Sequence, residues 1–330
     1  MKYSNGNPGV LFLGCGRAAA MHSRTLRRLG DVELFYASRD AARADALCRR
    51  FGGRRSYGSY EAALADPAIG VVLVATPTAL HREQTMLALE AGKHVIVEKP
   101  AFMCAADADI VANVATTMGR RVFVAENYFY KPITRHLRWL VRSGHLGDIR
   151  FVSLNATKRQ AVQGWRGSPD LSGGGALFEA GVHWINFASN IGLDVEEVQA
   201  YRAGPEKGPD RSSLVVFRYA GGAVGTLAHS WELPAPFGGL RLSKMQGTLG
   251  AVTFESNGIA RVTTGRVKSI GVGIRDLLGY RAMFKDFLTT IVTGAPAQFT
   301  FGMAQRDLLF LEQAERSMSR ELFVTDSMRS

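Results

Sequence analysis

Cysteine is scarce in this chain, which has only Cys15, Cys48 and Cys104 among its 330 residues. Cysteines this few and this far apart form neither a disulfide framework nor a Cys-x-x-Cys pair of the kind used in metal and redox sites. A small secreted domain stapled by disulfides is therefore excluded. We expect a protein of the reducing cytoplasm.

Long hydrophobic runs are missing as well, because no stretch approaches the roughly 20 apolar residues that span a bilayer. The N-terminal stretch VLFLGCGRAAAMHSR contains glycines and Arg17, and it lacks the apolar core of a signal peptide. We predict neither a membrane span nor export. The sequence also contains no internal repeat and no low-complexity linker.

Acidic residues are the third deficit, since 29 Asp and Glu stand against 40 Lys and Arg, for a formal net charge of +11. A basic protein can bind nucleic acid, but these arginines are scattered through predicted helices such as RTLRRLG and AARADALCRR, with no basic stripe. We interpret them as solvated helix faces and predict no nucleic-acid partner. A phosphorylated cofactor or substrate would also be attracted by the positive field.

The first part of the chain, from residue 10 to about 125, alternates short apolar runs with helical patterns. The runs are VLFLG, VELFYAS, GVVLVAT, HVIVEKP and RVFVAE, and helices are predicted at 18–29, 40–51, 79–91 and 104–117. Apolar strands that are each followed by an amphipathic helix indicate a parallel sheet covered on both faces. We predict a doubly wound Rossmann domain over residues 1–127.

The pattern changes in the second part, which we predict to be a domain over residues 128–330. After a helix near 133–142, the strand DIRFVSLNA and a helix behind three glycines come several β-type runs, at 195–202, 212–219, 222–231, 239–246 and 250–254. Alternation such as SLVVFRY favours antiparallel hairpins, and helices are predicted near 277–293 and 303–318. The predicted fold class is α/β: a doubly wound parallel sheet followed by an α+β domain with a large, mostly antiparallel open sheet.

The segment GCGRAA joins the first predicted strand to the first helix and matches G-x-G-x-x-A in the context that dinucleotide binding requires. Gly14 permits a tight turn, Gly16 lets the backbone approach a pyrophosphate, and Ala19 permits close packing of helix on strand. The start of the helix supplies N–H groups to the phosphates. We assign cofactor binding to Gly14, Gly16, Arg17, Ala18 and Ala19.

The end of the second predicted strand, YASRD, bears on the choice of cofactor. An acidic residue at its tip would bind the ribose 2′-hydroxyl, whereas Ser38 and Arg39 stand there and would bind a 2′-phosphate. We interpret Asp40 as the N-cap of the next helix. NADP(H) is favoured, and NAD(H) stays possible.

Two later strand ends carry unusual residues at the edge where open α/β sheets bind their ligands. In ATPTALH, Thr76 and Pro77 give a stiff turn, and His81 is as compatible with a structural role as with a functional one. In EKP, Lys99 follows a buried strand and its ammonium would point into the ligand crevice. Glu98 could hold the charge of Lys99 in place or merely cap the strand, and we assign cofactor binding to all five of these residues, Thr76, Pro77, His81, Glu98 and Lys99.

The segment GGGALFEAGVHWIN places Glu179 and His183 four residues apart on a predicted helix. Both side chains then project the same way and could act on one small molecule. An ordinary surface pair has the same spacing, so these residues alone leave both interpretations open. No third ligand with matching spacing stands nearby, and we predict no metal site.

These motifs, in their order and spacing over nearly the whole chain, resemble the Gfo/Idh/MocA oxidoreductase family. The quoted elements are G-x-G-x-x-A, T-P-x-x-x-H, E-K-P and G-G-G-A-L-x-(D/E)-x-G-x-H. The resemblance implies a Rossmann domain followed by an α/β domain with a large open sheet. It also implies NAD(P)-dependent oxidation or reduction of sugars, cyclitols or related polyols, in dimers or tetramers.

The resemblance further implies roles for particular residues. Lys99 would belong to the catalytic set, His183 would be the acid/base and Glu179 a substrate contact. Cofactor or substrate roles are implied for four more residues, Asn127, Tyr128, Trp165 and Arg166. The family frequently has Asp where this chain has Glu179, and this departure leaves the identity of the substrate open.

Hydride transfer at a secondary alcohol needs one group that exchanges the hydroxyl proton and another that stabilises the developing alkoxide. A histidine can do the first and a nearby ammonium the second. We therefore predict an NADP-dependent oxidoreductase that transfers hydride between the nicotinamide and a secondary alcohol or ketone of a sugar, sugar derivative or cyclitol. Lys99 and His183 form its proton-transfer and charge-stabilising pair.

Two other functions stay open within the same resemblance. Some members cleave glycosides through transient oxidation of C3 with tightly held NAD. Ser38 and Arg39 argue mildly against this function, because they favour NADP. Relatives also act as nucleotide-sensing regulators, which need no proton relay. The presence of both Lys99 and His183 in this chain argues against that function.

The β-type runs of the second domain also bear on assembly. LVVF and VGTLAHS would lie on the outer face of the open sheet, and such a face usually needs covering. We expect a homo-dimer or homo-tetramer formed through this sheet.

Overall fold

The structure is a computed structural model that describes residues 8–30, 32–161, 164–205, 208–235 and 239–327. The chain divides into two compact units. The first comprises residues 1–126 and 280–305, and the second comprises residues 127–279 and 306–330. No helix among the described residues is long and apolar enough to cross a membrane.

The first unit is built on a six-stranded parallel sheet in the order β3-β2-β1-β4-β5-β6. The strands are β1 (Gly9–Leu13), β2 (Glu33–Ala37), β3 (Arg55–Tyr57), β4 (Ile69–Val74), β5 (His94–Val97) and β6 (Val122–Val124). The helices that follow them are α1 (Arg17–Leu29), α2 (Ala41–Phe51), α3 (Tyr60–Leu64), α4 (His81–Glu90) and α5 (Ala105–Thr117). The central strands β1 and β4 are buried along their whole length, which explains their unbroken apolar sequence.

The second unit is built on an eight-stranded sheet in the order β14-β13-β12-β11-β7-β10-β9-β8. Its chain runs through α6 (Pro132–Arg142), β7 (Ile149–Thr157), α7 (Pro169–Ser172), α8 (Val182–Ser189), β8 (Val195–Ala203), β9 (Ser212–Tyr219), β10 (Val224–Ser230), β11 (Leu242–Gly247), β12 (Gly250–Glu255), β13 (Ala260–Gly265) and β14 (Ser269–Val272). All neighbouring strands are antiparallel except β10 and β7. Helix α8 packs on one face of this sheet, where Phe187 stacks on Phe254 and the Tyr219 hydroxyl donates to the carbonyl of Ala188.

The last two helices are α9 (Tyr280–Thr293) and α10 (Phe301–Ser327). The sequence pattern assigned all of this segment to the second domain, whereas α9 and the start of α10 belong to the first unit. Aromatic packing explains the difference, because Phe287 of α9 stacks on Phe123 of β6 with ring centroids 4.7 Å apart. Such long-range pairing leaves no local signal in the sequence.

The predicted fold class is confirmed, and most element bounds agree with the structure within a few residues. Five short elements escaped prediction: β3, α3, α7, β13 and β14. Strands β3 and β13 are rich in polar residues, and β14 has only four residues, so their apolar patterns are weak.

Candidate functional site

The turn after β1 has the geometry that the glycine motif predicts. Gly14 has φ +92°, and a Cβ there would stand 2.8 Å from Thr76 Cγ2, so the turn requires glycine. A Cβ at Gly16 would meet no protein atom within 4 Å. Helix α1 begins at this open space with no side-chain cap and no acidic residue in its first turn. Its N–H groups are therefore placed to receive phosphate oxygens, and the turn fits a dinucleotide.

The residues after β2 also lie as the motif predicts. Ser38 donates its backbone N–H to the carbonyl of Tyr57, and its Oγ accepts the N–H of Asp40 at 3.1 Å. The prediction for Asp40 is confirmed, since its carboxylate caps α2 by accepting the N–H of Ala42. Burial raises the pKa of Tyr60, and the charge of the exposed Arg39 opposes that rise. The Arg39 guanidinium therefore lies near the Tyr60 phenol. The strand tip thus carries a hydroxyl and a guanidinium, and its carboxylate is occupied as a helix cap.

His81 ties together the two later strand ends. Its ring is buried, with Nε2 2.9 Å from the carbonyl of Thr76 and Nδ1 3.0 Å from the carbonyl of Pro100. Burial lowers the pKa of this imidazole, although the carbonyls and Glu98 oppose the shift. Since both ring nitrogens face backbone carbonyls, the geometry gives His81 a positioning role, and direct contact with a cofactor stays a prediction.

Glu98 lies at the centre of a buried charge network at the end of β5. One carboxylate oxygen contacts Nε2 of the fully buried His22 of α1, and the other accepts the backbone N–H of Lys99 at 3.1 Å. Burial alone would raise the pKa of Glu98, but His22, Lys99 and His81 outweigh it and lower the pKa to about 2. Glu98 is therefore a fixed anion beside Lys99. Its sequence-based assignment as a cofactor contact stays a prediction.

The three glycines of the second unit begin an unusual helix. Gly173 has φ +91°, and a Cβ on Gly175 would stand 1.8 Å from the carboxylate of Asp210. Asp210 accepts the N–H of Ala176 on its carbonyl and that of Leu177 on its carboxylate, at 2.8 and 3.0 Å. The chain then forms a π-helical turn over Leu177–Gly181 before α8 begins. The α-helix expected here is thus wrong for its first turn, which is π-helical.

Glu179 and His183 lie on the two sides of this junction. Glu179 is buried within the π-helical turn, and His183 is half-buried in the first turn of α8. The His183 imidazole stacks on the Tyr128 ring, with centroids 4.5 Å apart and planes 11° from parallel. Lys131 Nζ lies 3.9 Å from the centroid of the same ring, although this lysine is fully buried. The Tyr128 ring therefore orients the histidine and contacts a cation.

The remaining predicted contacts of the second unit are placed less fully. Asn127 is buried and donates from Nδ2 to the carbonyl of Leu278, while its Oδ1 has no hydrogen-bond partner among the described residues. Trp165 lies in a 3₁₀ helix over Gly164–Gly167 and is half-buried. Arg166 is part of that helix, but its side chain lies outside the described residues.

His22, Lys131 and Asp210 were not predicted from the sequence. His22 carries a weak signal, since it is an ionisable residue on the buried face of α1, whereas Lys131 lies just before α6 and outside its helical pattern. Asp210 carries none, because its role depends on a contact with glycines 35 residues away in sequence or more.

A parallel doubly wound sheet with a phosphate-type glycine turn, joined to a second unit of this topology, defines the class of nucleotide-binding two-domain oxidoreductases. Two family models match the chain: one described as "Oxidoreductase family, NAD-binding Rossmann fold" over residues 9–126, and one described as "GFO/IDH/MocA C-terminal domain" over residues 134–253. The chain belongs to the Gfo/Idh/MocA family. The resemblance drawn from its motifs is confirmed.

Relatives and a solved structure agree with this placement. The chain is 31% identical over 186 residues to the D-glucoside 3-dehydrogenase of Escherichia coli, a match that covers 55% of this chain and 53% of that protein. It is 29% identical over 211 residues to human trans-1,2-dihydrobenzene-1,2-diol dehydrogenase, covering 63% and 62%. These matches span less than two-thirds of the relatives' own length. Levoglucosan dehydrogenase in complex with NADH and levoglucosan shares the fold, with a TM-score of 0.86, 21% identity and coverage of 96% of this chain and 98% of the other.

Proposed function

We propose that this protein is an NADP-dependent oxidoreductase that transfers hydride between the nicotinamide and a secondary alcohol or ketone of a sugar, a sugar derivative or a cyclitol. The observation that carries the proposal is the position of Lys99 at the carboxyl end of β5. There the Glu98 carboxylate accepts the backbone N–H of Lys99 and interacts electrostatically with its ammonium. This is the edge at which parallel sheets bind nucleotides. The named relatives and the levoglucosan complex support a polyol as the substrate.

The choice of NADP(H) rests on the tip of β2. A 2′-phosphate carries negative charge that Arg39 would offset and that the Ser38 hydroxyl would bind, since Ser38 Oγ keeps its own proton to donate. A family model named for NAD binding covers this unit, so NAD(H) is the alternative that the titration below separates.

In this proposal the cofactor supplies or accepts the hydride, and side chains of the two units handle the proton and the charge. His183 exchanges the proton of the reacting hydroxyl, because an imidazole titrates near neutral pH and its ring is oriented by Tyr128. The Lys99 ammonium stabilises the developing alkoxide. Glu179 binds an adjacent hydroxyl and orients the substrate.

Titration of the purified protein with NADPH and NADH, followed by a polyol and keto-sugar screen read by the absorbance of the reduced nicotinamide, tests the proposal. We expect tighter binding of NADPH, turnover of at least one polyol, and a loss of roughly 10²- to 10⁴-fold in kcat for Lys99→Ala. Lys285→Ala, on an exposed face of α9, is the control and should match the wild type. Binding of either nucleotide without turnover of any polyol would contradict the catalytic proposal.

We also propose that the protein associates through the open face of its second sheet. By the strand register, this face carries a row of exposed apolar side chains: Tyr201, Leu214, Phe151, Leu242, Val262 and Ile270. An exposed apolar patch of this kind marks an interaction surface. Sedimentation should show a dimer or tetramer for the wild type and smaller species for Ile270→Glu, and a monomeric wild type would contradict the assignment.

A further inference from the structure

A row of buried polar side chains crosses the helix-covered face of the second sheet. Strand pairing places His229 of β10 opposite Ala156 of β7 on one side and opposite Ser213 of β9 on the other. Continuing the β7–β11 register, in which Lys244 faces Ser153, puts Arg241 opposite Ala156 from the far side. The row is thus Ser213, His229, Ala156 and Arg241, and all four residues are buried.

The polar members of this row have atoms without a hydrogen-bond partner in the described part of the chain. These buried atoms are Arg241 Nε, His229 Nδ1 and Ser213 Oγ, together with Trp231 Nε1 two residues beyond His229 on the same face. Buried polar groups without a partner cost free energy, and native proteins keep few of them. Four in one neighbourhood therefore indicate a binding site whose ligand supplies the missing acceptors.

The charge of the row is positive. Arg241 is only 7% exposed, and among the described residues no carboxylate lies within ion-pair distance of it. Its Nη2 donates to the neutral amide of Asn257, which is itself bound to Glu255. Burial and the positive charges of Lys158, Arg241 and His183 lower the pKa of His229 to about 4. A buried guanidinium that lacks a direct anionic partner is an expensive arrangement unless a ligand brings the anion.

A small residue separates the two basic members of the row, which also lies near His183. Ala156 is the small residue between Arg241 and His229, and because neighbouring strands lie roughly 4.8 Å apart, their backbones are about 10 Å from each other. Trp184, which follows His183 in α8, has the Arg241 guanidinium 5.9 Å from its ring. His183 contributes to the pKa shift of His229, so the catalytic histidine of the proposed function and this row share one neighbourhood.

We propose that this row binds an anionic substituent of the substrate, a carboxylate or a phosphate, with Arg241 as its principal charge partner. The substrate is then a sugar acid or sugar phosphate in place of a neutral polyol. The inference rests on the proposed function for the sugar part of the substrate, while the anion site stands on the second unit alone. His229 and Trp231 supply further hydrogen bonds to the bound group.

Calorimetry that compares the affinity of each charged ligand with that of its neutral parent tests this inference and requires no turnover. Hexuronates and aldonates, hexose phosphates and their neutral parents are titrated into the full-length protein saturated with NADPH, or into the protein alone if NADPH does not bind. We expect at least one acid or phosphate to bind more tightly than its parent by on the order of 10- to 100-fold, the range of a charge-assisted hydrogen bond. Preference for the acid or for the phosphate decides between the two anions. Equal binding of every charged ligand and its parent overturns the proposal.

Variants distinguish a direct contact between Arg241 and the anion from a general effect of the protein's positive charge. Arg241→Gln should remove the preference for the anion while leaving the neutral parent unchanged, and Arg241→Lys should restore part of it. Lys244→Gln, three residues along and on the exposed face, is the matched control and should keep the full preference. Ala156→Val, which adds bulk between Arg241 and His229 without changing the charge, should also weaken the binding of the anionic ligand. Equal losses for charged and neutral ligands in Arg241→Gln would show a merely structural role and overturn the proposal.

The two proposals fail separately. Absence of turnover for every neutral polyol, sugar acid and sugar phosphate contradicts the oxidoreductase proposal but leaves the binding ratio measurable. Turnover that prefers neutral sugars, with a binding ratio near unity, overturns the anion site and leaves the oxidoreductase proposal intact.

Discussion

The two units of this protein differ in how the ionisable side chains near their proposed sites are bonded. In the first unit, the groups at the sheet edge are engaged by protein atoms: His81 by carbonyls of two loops, and Glu98 by His22 and the backbone of Lys99. His22 keeps its Nδ1 without a partner among the described residues, but both ring nitrogens of His81 and both carboxylate oxygens of Glu98 are bonded. In the second unit, Arg241 and His229 each keep a buried atom without a partner in the described part of the chain, so that row leaves hydrogen-bonding groups to a ligand.

This difference matches the ligands that the two units are proposed to bind. A nucleotide is the same molecule in every turnover and is held mainly by backbone N–H groups of a turn, so side chains at that edge can be fixed in advance. A substrate brings its own substituents, and a site that recognises them must have donors available before binding. The cluster of such groups near His183 therefore supports a site that recognises a substituent of the substrate.

The network of the first unit can be broken at Glu98. The pKa of Glu98 is lowered from 4.5 to about 2 in the folded protein, so its ionised form stabilises the fold above about pH 4.5 and this contribution is lost as the pH falls through about 2. The shift corresponds to about 3 kcal/mol of unfolding free energy near neutral pH. We expect Glu98→Gln to lose about this amount at pH 7, and the loss should shrink below about pH 4.5.

Urea unfolding over a series of pH values measures this difference. Glu90→Gln, which removes an exposed carboxylate at the end of α4, controls for the loss of charge and should leave stability nearly unchanged. A destabilisation of Glu98→Gln that is the same at every pH would mean that packing, and not charge, holds His22 and Glu98 together.

The sequence predicted the first unit more fully than the second. Glycines in a strand-turn-helix context and residues directly after apolar strands report their own position, so Gly14, Gly16, Ser38 and Lys99 were found from local pattern. His229 and Arg241 escaped, because their neighbourhood depends on the register of three strands that are far apart in sequence. The π-helical turn before His183 also escaped prediction, since nothing in the local pattern GGGALFEAG distinguishes it from an α-helical turn.

The stack of His183 on Tyr128 offers a finer test of the second unit. Here a protein ring contacts a functional side chain, whereas at Arg241 the contact is proposed to come from a ligand. Tyr128→Leu removes the surface that orients the His183 imidazole, and an aromatic contact of this kind contributes about 1 kcal/mol, so kcat/KM should fall by roughly 5- to 10-fold. Tyr128→Phe keeps the ring and the contact with Lys131 and should stay close to the wild type. Steady-state kinetics with the best polyol of the screen measure both variants. If Tyr128→Phe is as damaging as Tyr128→Leu, the phenol hydroxyl itself touches the substrate, and the second unit orients His183, the proposed acid/base, by means other than this ring.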